Sequence, residues 1–369
     1  VSVWSGPDKE YLSSDEYIVN VKNSILLFGL KSEDLTLYPN KEYLVSDNLA
    51  FTSNAILLIK PGVTLKFSDN KLISFKDQSR ILALGTKDSL INFIPENNSW
   101  GGMLFSSEGV NSEINFSRVR GISNEYGIKG NGNLEITNAI IEDFNTFYTP
   151  VANVHVSKTN IVNGLFAFYT NDLRHSNVID NKNSFLQSNY GGIDREYCCH
   201  GFYAPNPSIV NGNNIFNNEV SLSANNDQTY IIDSVYLGST IEETIRKTNW
   251  DFLNRSMDKR GLLDFSSLRT IPHEEAHGIV WKVLVNGKDA QDEYDQMDPI
   301  GVGNHEFKVY FNRQMDTLVK PQVSYGVRIP YNQKIVLETG SWSSDGKIYT
   351  VTHDLNIGAA DGINRIRVQ

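Results

Sequence analysis

The sequence predicts an all-β protein: a right-handed parallel β-helix solenoid, one short helix at a junction, and a small β-sandwich. Short segments rich in β-branched residues recur between 117 and 217, each bracketed by turn-forming residues. Alternating strands with Asn-Gly and Asp-Gly turns follow after residue 278. The predicted parts are 1–238, a β-helix with an N-terminal cap; 239–277, a short helix and linker; and 278–369, a β-sandwich.

Composition and charge restrict the classes of partner. The chain has 369 residues, with 33 Lys and Arg against 43 Asp and Glu and a net charge of −10. This balance disfavours nucleic acid and anionic membrane surfaces, because phosphate contacts need a clustered positive surface. No apolar run reaches the length of about 18 residues that a membrane span needs, so no transmembrane segment is predicted. We expect an export leader or lipid anchor to lie outside this chain, which could be a fragment of a longer protein.

Five repeats define the coils of the solenoid. The spacings between their alignment positions are 21, 21, 17 and 37 residues, and the last is interpreted as two coils. A period of roughly 20 residues suits a coil that climbs by one strand spacing per turn. Asparagines in 131–226 are expected to bond one another between coils and to occupy left-handed bends. The alignment positions are Val119, Ile140, Ile161, Val178 and Ile215.

Four pieces of sequence before these repeats resemble a known family. They are the apolar run 55–67 with its corner Pro61-Gly62, the corner Gly85-Thr86, the strand Ile91-Asn92-Phe93 and the start Trp100-Gly101-Gly102-Met103. In this order they resemble the opening coils of bacterial pectate-lyase-like β-helix proteins, over roughly 40–238. The resemblance implies a right-handed parallel β-helix. Residues 1–40 are expected to form an irregular cap or a first coil, because the open end of a solenoid needs covering.

After residue 238 the pattern changes to a short helix and then to strands. Ile241 and Ile245 approximate helical spacing with Thr240 as the N-cap, and 258–277 is predicted to be an extended linker. Residues 309–316 resemble a signature of bacterial immunoglobulin-like domains, which implies a module of that type. The predicted strands are 279–285, 306–311, 347–351 and 364–368.

Two motifs suggest metal chemistry, and each has a structural explanation that we favour. Residues 273–277 satisfy H-E-x-x-H, but Pro272 and Gly278 leave room for barely one helical turn, whereas a zinc protease needs both histidines on one continuous helix. We therefore expect a solvated linker there. Cys198 and Cys199 are adjacent, and successive strand residues point to opposite faces, so neither a disulfide nor a zinc site is predicted.

The candidate binding site lies at 187–207, where aromatic and charged side chains gather between glycines and prolines. Aromatic rings cover the CH groups of a sugar while charged groups meet its hydroxyls. The alternative is a wide coil whose aromatic side chains only close the core. The candidate ligand-binding residues are Tyr190, Asp194, Arg195, Glu196, Tyr197, His200 and Tyr203.

The expected function is binding, adhesion or structural support at a bacterial cell surface, extracellular or associated with the outer membrane. A long solenoid joined to a spacer favours contact with a glycan or with another cell-envelope protein, by analogy with the fold. One alternative is a calcium-assisted polysaccharide lyase acting on a uronate-containing polysaccharide, with Arg195 as base. Another is an accessory subunit of an outer-membrane assembly. No catalytic residue and no cofactor is predicted, apart from calcium in the lyase alternative.

Overall fold

A computed structural model of the chain describes residues 3–5, 10–13, 24–106, 110–123, 127–130, 132–144, 146–148, 154–164, 166–169, 172–179, 181, 212–218, 221–223, 229–253, 261–290, 297–326, 334–356 and 363–369. Within these ranges the protein is all-β apart from one short helix, as predicted. None of the described helical structure is long and apolar enough to cross a membrane. The first 27 strands and the helix are β1 (Val3–Ser5), β2 (Glu10–Ser13), β3 (Ile25–Lys31), β4 (Leu35–Leu37), β5 (Glu42–Phe51), β6 (Ile56–Ile59), β7 (Thr64–Phe67), β8 (Leu72–Phe75), β9 (Arg80–Leu84), β10 (Ile91–Pro95), β11 (Gly102–Phe105), β12 (Asn111–Asn115), β13 (Ser117–Arg120), β14 (Ile128–Gly130), β15 (Asn133–Thr137), β16 (Ile140–Glu142), β17 (Thr146–Tyr148), β18 (Val154–Ser157), β19 (Asn160–Val162), β20 (Phe166–Tyr169), β21 (Asp172–Arg174), β22 (Asn177–Ile179), β23 (Asn214–Phe216), β24 (Leu222–Ser223), β25 (Thr229–Asp233), α1 (Glu242–Thr248), β26 (Asn249–Trp250) and β27 (Leu262–Ser267).

Most of these strands stack in parallel, which fits a β-helix-like solenoid. The first sheet runs β5–β7–β10–β13–β16–β19–β22–β23, and a second runs β5–β8–β11–β14. Strand β5 belongs to both because its first half pairs with β7 and its second half with β8. A third sheet runs β4–β6–β9–β12–β15–β18–β21. Each coil of this region therefore has three sides, and β3 and β4 form the first coil that the structure describes.

The register of the first sheet corrects two details of the repeat alignment. Val119 pairs with Ile141 rather than with Ile140, and Ile141 pairs with Ile161. Ile141 is fully buried, whereas Ile140 is half-buried on the outer side. Strand β22 pairs directly with β23. Val178 and Ile215 therefore lie on neighbouring strands of this sheet, not two coils apart.

The interior of the solenoid is filled by side chains that stack from coil to coil. Phe51, Phe75 and Phe105 form one aromatic column, with ring centroids 5.4 Å and 5.3 Å apart and planes inclined by 15°. Phe67 stacks on Trp100 at 3.9 Å. Inward-facing residues alternate with outward-facing ones along each strand, so a one-residue change of register would expose this core.

One bend holds a residue of left-handed backbone in coil after coil. The N–H of each such residue bonds a carbonyl of the next coil, as from Asn138 to Ser157 and from His175 to Gly212. Asparagine occupies one of these positions, and Asn163 and Asn217 also have positive φ, so the prediction that asparagines occupy left-handed bends is confirmed in part. The residues with positive φ along this bend are Phe116, Asn138, Lys158, His175, Gly212 and Ser234.

The prediction that asparagines bond across coils is confirmed just after this bend, at the start of strands of the first sheet. Asn177 donates its side-chain amide to Asn160 Oδ1 at 2.6 Å, and Asn214 donates to Asn177 Oδ1 at 2.7 Å. Asn181 and Asn218 form a second buried pair, in which Asn218 Oδ1 accepts the N–H of Asn181 at 2.9 Å. These bonds satisfy polar groups that are removed from water.

Parallel pairing continues past residue 238, into the region predicted to be helix and linker. Strand β26 pairs with β24, and β27 pairs with β25. Ile245 of α1 and Leu263 of β27 belong to the solenoid core. The residue before α1 is Ile241 rather than the predicted Thr240, and the hydroxyl of Ser239 accepts the N–H of Ile241 at 3.0 Å.

The C-terminal region consists of two antiparallel sheets that enclose one core. Their orders are β29–β28–β30–β34–β33 and β32–β31–β35. Phe307, Val309 and Tyr349 of the larger sheet pack with Val323 and Tyr325 of the smaller one. The four strands predicted here are present within one to a few residues. The bounds are β28 (Val280–Val285), β29 (Lys288–Asp289), β30 (Gly303–Phe311), β31 (Val323–Gly326), β32 (Lys334–Val336), β33 (Ser341–Trp342), β34 (Ile348–Leu355) and β35 (Arg365–Val368).

This C-terminal region packs against the outer side of the first sheet. Ile179, Phe216 and Tyr236 project outward from the last coils, and Ile279 and Trp281 pack on them. The rings of Tyr236 and Trp281 meet edge to face at 6.0 Å. Burial in this contact raises the pKa of the Tyr236 hydroxyl. The outer side of the remaining coils of the sheet is not covered by this contact.

Candidate functional site

The structure does not place the candidate binding residues. Tyr190, Asp194, Arg195, Glu196, Tyr197, His200 and Tyr203 all lie in 182–211, outside the described residues. Cys198 and Cys199 lie there too. Their proposed roles therefore stay predictions, and the site described next is a different one.

A cleft of about 330 Å³ opens on the outer side of the first sheet, ahead of the coils that the C-terminal region covers. This volume is at the lower end of the range found for small-molecule sites. Three consecutive coils contribute to the cleft, so its shape depends on their stacking. The lining residues are Ile94, Pro95, Asn97, Asn98, Ser99, Arg120, Gly121, Ile122, Ser123 and Asp143.

Strand register places opposite charges side by side at this cleft. Val119 points into the core, so its neighbours Arg118 and Arg120 point outward. On the next coil Glu142 pairs with Arg120, and Asp143 follows it. Arg120 Nε donates to Asp143 Oδ2 at 2.7 Å, and Arg118 Nε lies 3.1 Å from Glu142 Oε1.

The Arg120–Asp143 pair is exposed enough to exchange with a ligand. The two side chains are 57% and 40% exposed. Exposed ion pairs contribute only about 0–1 kcal/mol to stability, because water screens them. A ligand that offers hydroxyl or anionic groups can therefore replace part of this pair at little cost, and the guanidinium then donates to the ligand.

The floor of the cleft is fixed by backbone geometry around Gly121. Its φ is +75°, and a Cβ there would lie 2.7 Å from Cγ of Pro95. The indole Nε1 of buried Trp100 donates to the carbonyl of Arg120 at 2.7 Å, and Trp100 N–H donates to the carbonyl of Gly121. These contacts hold the base of the Arg120 side chain in place, so the site is largely preorganised.

The rim of the cleft carries neutral polar groups. Asn97, Asn98, Ser99 and Ser123 line it, and Asp69 Oδ1 accepts the N–H of Asn98 at 3.3 Å. Amides and hydroxyls both donate and accept, which suits a ligand with many hydroxyl groups. The apolar parts of the lining provide contact area for CH groups.

A second cavity of about 500 Å³ lies between α1 and β27, and its charges have a structural role. Arg246 bonds Asp251 Oδ2 at 2.9 Å and lies over the ring of Phe265, 5.1 Å from the centroid. Asp251 is fully buried, and its Oδ2 also accepts the N–H of Leu263 at 3.0 Å. The pair thus connects the helix to the last strand of the solenoid.

The H-E-x-x-H residues adopt turn and extended backbone rather than a helix. His273 Nε2 bonds the carbonyl of Ser234 at 2.7 Å, so this nitrogen is a donor. Glu274 pairs with Lys347 at 2.8 Å. The expectation of a solvated linker is wrong in one respect, since Ala276 is fully buried and both histidines are half-buried. In the part of the chain that the structure describes, no group of three or more His, Cys, Asp or Glu side chains is arranged to hold a metal.

Sequence reasoning missed Arg120 and Asp143, although a signal for them exists. Both lie at or beside repeats that were aligned, namely 117–121 and 138–142. Two outward-facing arginines in one repeat face two acidic residues in the next, which is the pattern of a charge pair between coils. The repeat alignment placed Val119 opposite Ile140 instead of Ile141, and this shift of one residue concealed the charge pair.

The chain was also compared with known proteins. No known protein family matches the sequence, and neither curated proteins nor solved structures give a match.

Proposed function

We propose that this is an exported bacterial cell-surface protein that binds a glycan on the outer side of a right-handed parallel β-helix. The C-terminal sheets act as an immunoglobulin-like spacer between the solenoid and its attachment. The pectate-lyase-like sequence pieces in 55–103 and the immunoglobulin-like signature at 309–316 support this assignment. So does the stack of parallel strands joined to two antiparallel sheets.

The cleft at Arg120 is the observation that carries the proposal. It combines a charged pair, Arg120 and Asp143, with the amides of Asn97 and Asn98 and an apolar edge at Pro95. Sugars present hydroxyls around a ring whose CH groups are apolar, so they need this mixture of groups. A hydrogen bond between a sugar hydroxyl and a charged side chain contributes about 1.5–3 kcal/mol when water is excluded.

Binding to purified bacterial envelope polysaccharides and to a glycan array tests the proposal. We expect Arg120→Ala to weaken binding about tenfold or more, which corresponds to about 1.4 kcal/mol. Arg118→Ala is the matched control, because Arg118 lies on the same strand, carries the same charge and does not line the cleft. Absence of binding to every glycan, or equal loss in both variants, would overturn the proposal.

A calcium-assisted polysaccharide lyase is the second candidate. The observation that favours it is a guanidinium beside a carboxylate in a cleft on one sheet, Arg120 with Asp143. Ultraviolet absorbance of unsaturated product from uronate-containing polysaccharides, with calcium and then with chelator, separates the two functions. Calcium-dependent absorbance that Arg120→Ala abolishes would replace the binding role by an enzymatic one. If Arg195→Ala alone abolished it, the lyase site would instead lie in 187–207.

A further inference from the structure

Residues 271–279, the joint segment, connect the last solenoid strand to the first strand of the C-terminal sheets. The segment contains the H-E-x-x-H residues and lies along the bend of the solenoid that carries His175 and Ser234. Its polar groups bond the solenoid on one side and the C-terminal sheets on the other. The segment therefore connects these two parts through hydrogen bonds as well as through the covalent chain.

On the solenoid side, asparagines of the first sheet hold the joint segment. Asn214 Oδ1 accepts the backbone N–H of His273 at 2.7 Å, and Asn177 donates its amide to the carbonyl of His277 at 3.1 Å. The ring of His273 donates from Nε2 to the carbonyl of Ser234 at 2.7 Å. The asparagine ladder of the solenoid therefore ends on this segment.

On the other side, Asn312 and two basic residues hold the same segment. Asn312 donates its side-chain amide to the carbonyls of His273 and His277, at 2.8 Å and 3.0 Å. Arg313 Nη1 donates to the carbonyl of Ala276 at 3.1 Å. Lys347 pairs with Glu274 at 2.8 Å. Both bonds of Asn312 therefore go to the backbone of the two histidines, and the other two contacts go to residues between them.

Both histidines lie where a second proton is unfavourable. The ring of His273 is 6.0 Å from that of His175, which in turn lies 3.1 Å from Glu275 Oε2. His277 Nε2 is buried and has no hydrogen-bond partner among the described residues. A buried charge without a partner is strongly destabilising. The charged or titratable groups that face the two rings are His175, Arg269, Glu275 and Arg313, with Glu274 and Lys347 beside them.

We propose that the joint segment is an acid-sensitive connection, in which protonation of His273 and His277 releases the C-terminal sheets from the outer side of the solenoid. This goes beyond glycan binding and does not depend on it. The neutral ring of His273 already uses its Nε2 proton for Ser234. A second proton on Nδ1 adds a positive charge close to Arg269, and a proton on His277 adds one close to Arg313.

The direction of the pH dependence follows from the docked environment. Burial is the largest cause that lowers the pKa of His273 below 6.5, and Arg269 and His175 lower it further, while Ser234 and Glu275 act in the opposite sense. Burial and Arg313 lower the pKa of His277 by more than its hydrogen bond with the backbone of Asn138 raises it. The docked state therefore binds fewer protons than the released state below about pH 6.5, so docking weakens as the pH falls through that window. The Glu274–Lys347 pair is lost only at lower pH, because Lys347 holds the pKa of Glu274 below 4.5.

Small-angle X-ray scattering of the full chain between about pH 7.5 and about pH 5 tests the proposal, since this range spans the titration of histidine. We expect the radius of gyration to increase as the pH falls, while the far-ultraviolet circular dichroism stays constant. An unchanged radius, or an increase that coincides with loss of the β-sheet spectrum, would contradict release at the joint.

Three variants assign the transition to the joint segment. The double variant His273→Gln/His277→Gln should lose the pH dependence of the radius, and His305→Gln, a histidine on β30 away from the joint, should retain it. Glu275→Gln removes the carboxylate that favours protonation in the docked state, so its transition should move to higher pH. A double variant with the wild-type transition would overturn the proposal. If the double variant is already released at neutral pH, the Glu275→Gln shift decides, and an unchanged midpoint overturns it.

Discussion

The side-chain amide of Asn214 donates to Asn177 Oδ1 at 2.7 Å, while Asn214 Oδ1 accepts the N–H of His273 at 2.7 Å. One fully buried residue thus links the solenoid ladder to the joint segment. Asn177 extends the same chain of bonds to Asn160. Because each bond uses a different group of the amide, no other uncharged side chain of this size replaces asparagine here.

Replacing Asn214 by alanine should destabilise the protein by about 1–3 kcal/mol, because it leaves the oxygen of Asn177 and the N–H of His273 buried without partners. Urea unfolding with linear extrapolation measures the change. Asn92→Ala is the matched control. Asn92 occupies the same outward row of the first sheet, but it is only half-buried and its bond to Thr64 is 3.3 Å long. Equal losses in both variants would show that the ladder has no special role at the joint.

Alanine substitution in the aromatic column of the solenoid core should reduce folding stability far more than substitution of an exposed aromatic residue. Phe75 is fully buried between Phe51 and Phe105. We expect Phe75→Ala to reduce the free energy of unfolding by about 3–5 kcal/mol, from lost burial and the cavity left behind. Phe252, which is 52% exposed, provides the control, and Phe252→Ala should change stability by less than about 0.5 kcal/mol. A similar small effect of both substitutions would mean that the column contributes little.

Much of the architecture could be predicted from the sequence, because stacked coils repeat a short pattern of apolar and turn residues. Parallel stacking, the single described helix and strands after residue 278 all follow from that pattern. The strand register at 140–141 could not be predicted from the sequence, because two isoleucines are adjacent there and either can face inward. The spacing of 37 residues before Ile215 was also misread, since the number of residues between two strands does not determine whether those strands pair.

The candidate site was less predictable, for a physical reason. Arg120 and Asp143 are 23 residues apart in sequence and meet only when the exact stacking of two coils is known. From sequence alone, a candidate site is recognised most easily when its residues are close together in the chain, as at 187–207. Charged residues at alternate positions of a strand are also common on solvated surfaces. Whether they form a binding site depends on which charged residues the next coil places opposite them.

Gly102 is a position where coil spacing excludes a side chain. Its φ is +91°, and a Cβ there would lie 1.9 Å from the carbonyl oxygen of Gly127 on the next coil. We expect Gly102→Ala to destabilise the protein by at least about 1–3 kcal/mol from backbone strain alone, with the contact adding to this. Gly301→Ala is the control, because open space surrounds Gly301 and its φ is not positive. That control should stabilise by about 0.4–1 kcal/mol. Calorimetry would refute the argument if Gly102→Ala left the melting temperature unchanged.

The C-terminal sheets contain a contact that also weakens as the pH falls, but at lower pH than the joint, because a carboxylate rather than an imidazole takes up the proton. His353 Nδ1 hydrogen-bonds to Glu338 Oε2, and this bond is the largest cause that holds the pKa of Glu338 below 4.5. The stabilisation from such a carboxylate is complete above pH 4.5 and is lost as the pH falls through its lowered pKa. His353→Phe keeps a ring against Tyr325 and removes the donor.

In that variant the pKa of Glu338 should rise towards 4.5, because the lost hydrogen bond no longer favours the charged carboxylate. Nuclear magnetic resonance titration of chain labelled at the glutamate carboxyl carbon measures it directly. Glu274 is the internal control in the same sample, since Lys347 and not His353 lowers its pKa. If Glu338 kept its low pKa while Glu274 was unchanged, backbone contacts rather than His353 would account for the shift. A parallel rise of both values would instead indicate that His353→Phe had disturbed the whole C-terminal region.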